Sequence, residues 1–137
     1  MRRRFFIDEN LSPELENPLD RVFRQHKFTS ARRAALLGTD DQDLFRELSA
    51  RRYGAIITED REQLEAQYER AALRDAGLHW LGVPKVPARG IAQIVYATSV
   101  IVPAVLYVLE NWHDIPTAYF AREPRMGDHS VITCEAL

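Results

Sequence analysis

Cysteine is almost missing from this chain. Cys134 is the only one, so no disulfide can form within it, and a reducing compartment is the expected setting. The four histidines are scattered, and with a single thiol they give no Cys/His spacing of a zinc site. An excess of one charge is lacking as well. The 18 basic and 20 acidic residues leave a formal net charge of -2, which excludes a global attraction to nucleic acid or anionic lipid and makes any polyanion contact local. Local basic clusters stand at Arg2-Arg3-Arg4, at Arg21 with Arg24 and Lys27, at Arg32-Arg33 and at Arg51-Arg52, and each also reads as an ordinary solvated face or strand flank. Repeats and low-complexity stretches are absent. Only Phe5, Phe6 and Ile7 separate the first arginines from the first acid, too short an apolar run for a signal peptide, so a cytoplasmic location is expected.

One long uncharged run is present. Residues 90–109, GIAQIVYATSVIVPAVLYVL, have the length of a membrane span. Gln93, Thr98, Ser99 and Pro103 interrupt it, and Ile91, Ile94, Val95, Ile101, Val102, Val105, Leu106, Leu109 and Trp112 fall on a helical stripe, which fits a core helix and no membrane. A second face, Tyr96, Val100, Pro103, Ala104 and Tyr107, is apolar enough to suggest a homodimer through the 91–112 helix, with burial on both sides as the alternative.

A chain of 137 residues, 46% hydrophobic, has the size and core of one domain. Arg3 to Ile7 reads as a first strand. Ser12-Pro13 and Asn17-Pro18 both have the form of an N-cap followed by proline at the first helical position, so the first helix is expected to be broken or to begin at Pro18, burying Leu15, Leu19, Val22 and Phe23. Lys27 to Ala31 reads as a second strand. DDQDLFRELSARR, from Asp40, has the acidic start and basic end that a helix dipole favours. Tyr53 to Thr58 is the clearest strand, nearly continuous in apolar residues as a two-sided parallel sheet requires. A charged helix over 61–76, a strand over 78–83, the long helix with a kink at Pro103, and late strands at 117–121 and 130–134 complete the pattern. Strands alternating with helices indicate an α/β fold, a three-layer sandwich with a mainly parallel central sheet.

The informative feature is where the strands stop. FFIDEN runs from apolar residues directly into Asp8, Glu9 and Asn10, and AIITEDRE runs into Thr58, Glu59, Asp60 and Glu62. Ligands of open α/β sheets bind outside the carboxyl ends of the strands. Asp8 and Asp60 each belong to such an end, and a helix beginning near Asp40 can aim its first turn at the same place. Converging carboxylates repel one another unless a cation compensates, and an all-oxygen set favours Mg²⁺ or Mn²⁺, which activates water and stabilises charge on a phosphoryl group. Singly, each acid has an ordinary explanation: turn chemistry for Asp8 and Asn10, capping and dipole for Asp40, Asp41 and Asp43, an N-cap for Asp60.

Taken in order, FFIDENL, DQDLF and IITEDRE resemble the successive acidic motifs of PIN-like domains, in particular short stand-alone bacterial ones. The similarity is best over the first 62 residues. The resemblance implies a Mg²⁺- or Mn²⁺-dependent endoribonuclease acting on RNA, often the toxin of a toxin-antitoxin pair, with an antitoxin as partner. It implies Asp8, Asp41 and Asp60 as metal-binding catalytic acids, with Asp43 competing for the second position, Thr58 as a supporting hydroxyl, and Glu62 where aspartate is commoner. Two other classes remain open at this stage. A receiver-like phosphoacceptor domain would place an acid at Asp60 and a lysine at Lys85 but give Asp41 no role, and a catalytically silent PIN-like interaction module would keep the fold without the chemistry.

Overall fold

A computed structural model describes residues 1–85, 87–123 and 136. Five strands, β1 (Arg4–Ile7), β2 (Lys27–Ser30), β3 (Ala55–Thr58), β4 (His79–Gly82) and β5 (Ala118–Phe120), form one sheet in the order β2-β1-β3-β4-β5. Every pairing is parallel. The helices are α1 (Glu16–Val22), α2 (Asp41–Ala50), α3 (Glu62–Glu65), α4 (Gln67–Asp75) and α5 (Ile91–Glu110).

Strand residues alternate between two cores, as the period of two demands. Phe5, Ile7, Ala55, Ile57 and Leu81 pack with Leu15 and Leu19 of the α1 segment and with Ala97, Val100, Ile101, Val105 and Val108 of α5. Phe6, Ile56 and Trp80 pack on the other face with Leu44, Phe45 and Leu48 of α2 and Leu73 of α4. Burial on both faces explains the unbroken apolar character of Ala55–Thr58, all four of which are buried. The expected three-layer α/β sandwich is what the chain forms.

Several boundaries differ from those the sequence suggests, for local reasons. The first helix neither breaks nor waits for Pro18. Ser12 caps a 3-10 turn at Pro13–Leu15, accepting from the Glu14 N–H at 3.2 Å, and α1 continues from Glu16. Pro18 is then the third helical residue, where the missing N–H has no intrahelical partner to lose. Val22 faces solvent instead of the core, 57% exposed. The charged helix over 61–76 is two helices, because Ala66 is extended at ψ 121° between α3 and α4. α5 runs uninterrupted through Pro103. It is long and apolar enough to cross a bilayer, yet one stripe of it lies in the first core. Val100, expected on the exposed second face, belongs to that stripe and is 4% exposed. Of the late strands, 117–121 is observed as β5 at the sheet edge, and 130–134 lies outside the described residues.

Candidate active site

With all strands parallel, every carboxyl end lies at one edge of the sheet. In the order 2-1-3-4-5 the chain leaves β1 in one direction to reach β2 and lies on the other side from β3 onward, so the crevice of such a sheet falls between β1 and β3. Asp8 follows β1 and Thr58 ends β3, so the two sequence signals meet at this switch point.

Asp8 is 6% exposed and surrounded by donors. Its Oδ1 accepts from the Glu9 N–H at 2.8 Å, and its Oδ2 accepts from Thr58 Oγ1 at 2.7 Å and from Gln63 Nε2 at 3.1 Å. Burial nevertheless dominates, and the Asp8 carboxyl sits above the ordinary aspartate range despite these bonds. Thr58, fully buried, is a junction: its oxygen also accepts from Asn10 Nδ2 at 3.1 Å and from the Asp60 N–H at 3.0 Å. Asn10 Oδ1 in turn accepts from the Glu59 N–H at 3.2 Å, which ties the two strand-end loops together.

Asp41 comes from the first turn of α2. Its Oδ1 lies 3.1 Å from the same Gln63 Nε2 that touches Asp8. Its carboxyl is also raised, first by burial, then by the charges of Asp60, Asp8 and Asp40, against the lowering effect of the Gln63 bond. Asp60 stands beside them electrostatically while its Oδ1 accepts from the Glu62 N–H at 3.0 Å. The ordinary capping explanation of Asp60 and its place in the acidic crevice are thus both true.

The remaining acids separate. Asp43 ion-pairs with Arg46 on the exposed side of α2, away from the Gln63 bridge. Glu62 is exposed and contributes its backbone N–H to the Asp60 turn. Glu9 Oε2 accepts from the Gly38 N–H at 2.9 Å and so pins the loop after β2. Two residues have no counterpart in the sequence reading. Gln63 joins Asp8 to Asp41, and Glu69, in the first turn of α4, feels Asp41, Asp60 and Glu62 enough to be raised together with its own desolvation. A continuous helix over 61–76 would have hidden both roles, since the break at Ala66 sets the two helices' directions independently.

Among the described residues no group of three or more His, Cys, Asp or Glu side chains is close enough to hold a metal ion. The donor set still fits a hard ion of the Mg²⁺ kind, which is commonly bound by one or two carboxylates with its remaining positions kept as water. Asp8 and Asp41 already aim one oxygen each at a common atom, and that atom is a hydrogen-bond donor.

Beside this cluster a crevice of about 670 Å³ is lined by Asn10, Asp60, Arg61, Glu62, Pro84 and Lys85, among others. The basic clusters of the sequence distribute by topology. Arg2-Arg3-Arg4 precede or begin β1, Arg24 and Lys27 lie at the start of β2, and Arg51-Arg52 precede β3, so all belong to the amino-end edge. There they do structural work: Arg3 lies over the Trp112 ring, Arg4 over Tyr53, and Arg51 pairs with Glu47. Only Arg32-Arg33 of those clusters follow a strand, and Arg33 is bonded to the buried Glu16 at 2.8 Å.

A parallel α/β sandwich with carboxylates gathered at the β1/β3 switch point is the class of architecture in hand. The sequence model of the family described as PIN like domain matches residues 3–85, more than half of the chain, and the protein belongs to that family. No curated protein and no solved structure matches the chain.

Proposed function

We propose that this protein is a metal-dependent ribonuclease in which Asp8, Asp41 and Asp60 hold a Mg²⁺ or Mn²⁺ ion, and that it acts as the toxin of a toxin-antitoxin pair. PIN-like domains are generally nucleases, which sets the reaction class. The observation that carries the finer reading is the convergence of Asp8 and Asp41, from two elements 33 positions apart in the sequence numbering, on one donor atom.

A divalent ion at that place, when bound, supplies positive charge to a phosphodiester oxygen and makes an attacking water more acidic. The chain's own groups do the rest. Thr58 and the Glu9 N–H fix the rotamer of Asp8, so that its oxygens are aimed before any ligand arrives. Asp41 brings a second oxygen on a rigid helix. Arg61 and Lys85, which line the adjoining crevice, are placed to hold backbone phosphates, an electrostatic contact without base preference.

A receiver-like reading is weaker. The strand order 2-1-3-4-5 is compatible with it, and Lys85 shares a crevice with Asp60. It leaves unexplained why Asp41 is drawn into the cluster, and the family match points elsewhere.

Incubation of purified protein with single-stranded RNA and Mn²⁺ tests the proposal. Cleavage that chelator and Asp8→Ala both abolish is the expected result. Intact RNA in every metal, or cleavage that survives Asp8→Ala, overturns it.

A further inference from the structure

Gln63 is 1% exposed, and the two ends of its carboxamide are used differently. Oε1 accepts from Trp80 Nε1 at 3.2 Å, while Nε2 donates to Asp8 Oδ2 and Asp41 Oδ1, each at 3.1 Å. An indole N–H can only donate, so it can face only the carbonyl end of an amide. Turned the other way, the carboxamide would set N–H against N–H and its oxygen against two carboxylates. Trp80 therefore decides that the positive end of the Gln63 dipole points at the acids.

Trp80 is itself held in one place. It is 1% exposed, its ring lies 5.4 Å from that of Phe120, and it covers Gly82 so closely that a Cβ there would come within 2.1 Å of the indole. Gly82, Trp80 and Gln63 thus form a chain of contacts ending on Asp8 and Asp41.

We propose that Gln63, oriented by Trp80, is a positioning residue that stands in for a cation between Asp8 and Asp41 and closes the crevice until an ion displaces its amide. The inference rests on the reading of Asp8 and Asp41 as ion-binding acids. A neutral dipole with two N–H groups satisfies one oxygen of each carboxylate, so the ion-free protein does not carry two bare charges side by side. Admission of an ion requires the Gln63 side chain to give up at least one of these bonds. The apparent affinity for the ion is then lowered by the fraction of molecules in which the amide has swung away.

Calorimetric titration of Mn²⁺ into the whole chain tests this without reference to RNA cleavage. Gln63→Ala is expected to bind Mn²⁺ about tenfold more tightly than wild type, the ratio for an open fraction near a tenth. Trp80→Phe, which removes the orienting donor, is expected to tighten binding in the same direction, and the double variant to gain nothing beyond Gln63→Ala, because both act through one side chain. If Gln63→Ala does not fold, Gln63→Met, similar in length but without polar atoms, takes its place and is read the same way. Binding in the variant with none in wild type also supports the proposal, as the limit of a tightly closed crevice. Equal or weaker binding by the Gln63 variant, with measurable binding by wild type, overturns the proposal and leaves the metal reading standing. Absence of binding in wild type and all variants overturns both.

Discussion

Thr58 Oγ1 lies 2.7 Å from Asp8 Oδ2, joining the last residue of β3 to the first residue beyond β1. The hydroxyl donates one hydrogen bond and accepts two, from Asn10 and from the Asp60 N–H. A side chain that is fully buried and engaged three times is a poor candidate for neutral substitution. Thr58→Val keeps the shape but leaves Asp8 short of a donor and two N–H groups short of an acceptor. A loss of about 1–3 kcal/mol is expected, as for unsatisfied buried polar groups generally. Urea unfolding checks it, with Thr58→Ser expected to retain most of the stability; equal midpoints for Val and wild type would mean the junction is energetically idle.

Asp41 gives a prediction in pH. Its folded-state pKa is raised above the usual value of 3.8, first by burial and then by neighbouring acids. A carboxyl so shifted binds its proton more tightly in the folded state, so its contribution favours folding at low pH and is lost as pH rises from about the unfolded value upward through the folded one. Asp41→Asn does not titrate. In the absence of divalent ions, the melting temperature of wild type relative to Asp41→Asn should therefore fall between pH 3 and pH 6, roughly the span from the model-peptide value upward. Parallel curves across that span would show that Asp41 is not charged against its surroundings.

The sequence made the acids conspicuous and left their partners hidden. Asp8 and Asp60 were legible because an apolar run that ends on a carboxylate is unusual in a buried strand. The sheet's parallel character was legible from the same runs. Asp41 and Asp43 could not be separated by pattern, since both satisfy the preference for acids in a first helical turn; only the direction of the helix shows that Asp41 meets Gln63 and Asp43 meets Arg46. Gln63 carried no signal, because a glutamine near a helix start is ordinary, and its role depends on Trp80 arriving from another strand. Val100 was misplaced for a related reason. An apolar helix is ambiguous about which stripe faces the sheet, and tertiary packing makes that choice.

That separation of Asp41 from Asp43 can be tested directly. Asp43→Ala removes an exposed pair with Arg46 and should change stability by no more than about 0.5 kcal/mol. Mn²⁺ binding and RNA cleavage should be unchanged, whereas Asp41→Ala should abolish both. The reverse pattern in a paired assay would transfer the role to Asp43.

Basic residues should sort by the edge of the sheet they occupy. Arg61→Ala and Lys85→Ala, at the carboxyl-end crevice, are expected to weaken RNA binding severalfold and to flatten its dependence on salt, since each phosphate contact released adds about one ion to the slope. Arg24→Ala, at the amino edge, should do neither. Filter binding at several salt concentrations decides the matter, and a loss for Arg24→Ala equal to that for Lys85→Ala would place the RNA on a different surface.

Asp60 tests the ion reading from the side of stability, because its two roles respond differently to the same change. Its Oδ1 accepts from the Glu62 N–H, and asparagine offers a carbonyl oxygen at the same position, so Asp60→Asn should preserve the turn and cost a few tenths of a kcal/mol at about the most. Its charge is felt at Asp41, where it opposes ionisation. Removing that charge relieves repulsion in the ion-free protein and weakens the attraction for a cation. The melting temperature of Asp60→Asn without metal should therefore equal or exceed that of wild type. With Mn²⁺ at about a hundred times its dissociation constant, wild type should gain roughly 2 to 3 kcal/mol by mass action, and the variant much less. The crossing of the two responses is the signature, since a residue that only capped a turn would leave the metal response untouched. Superimposable Mn²⁺ titrations of melting temperature for wild type and Asp60→Asn would remove Asp60 from the ion site and confine it to the turn.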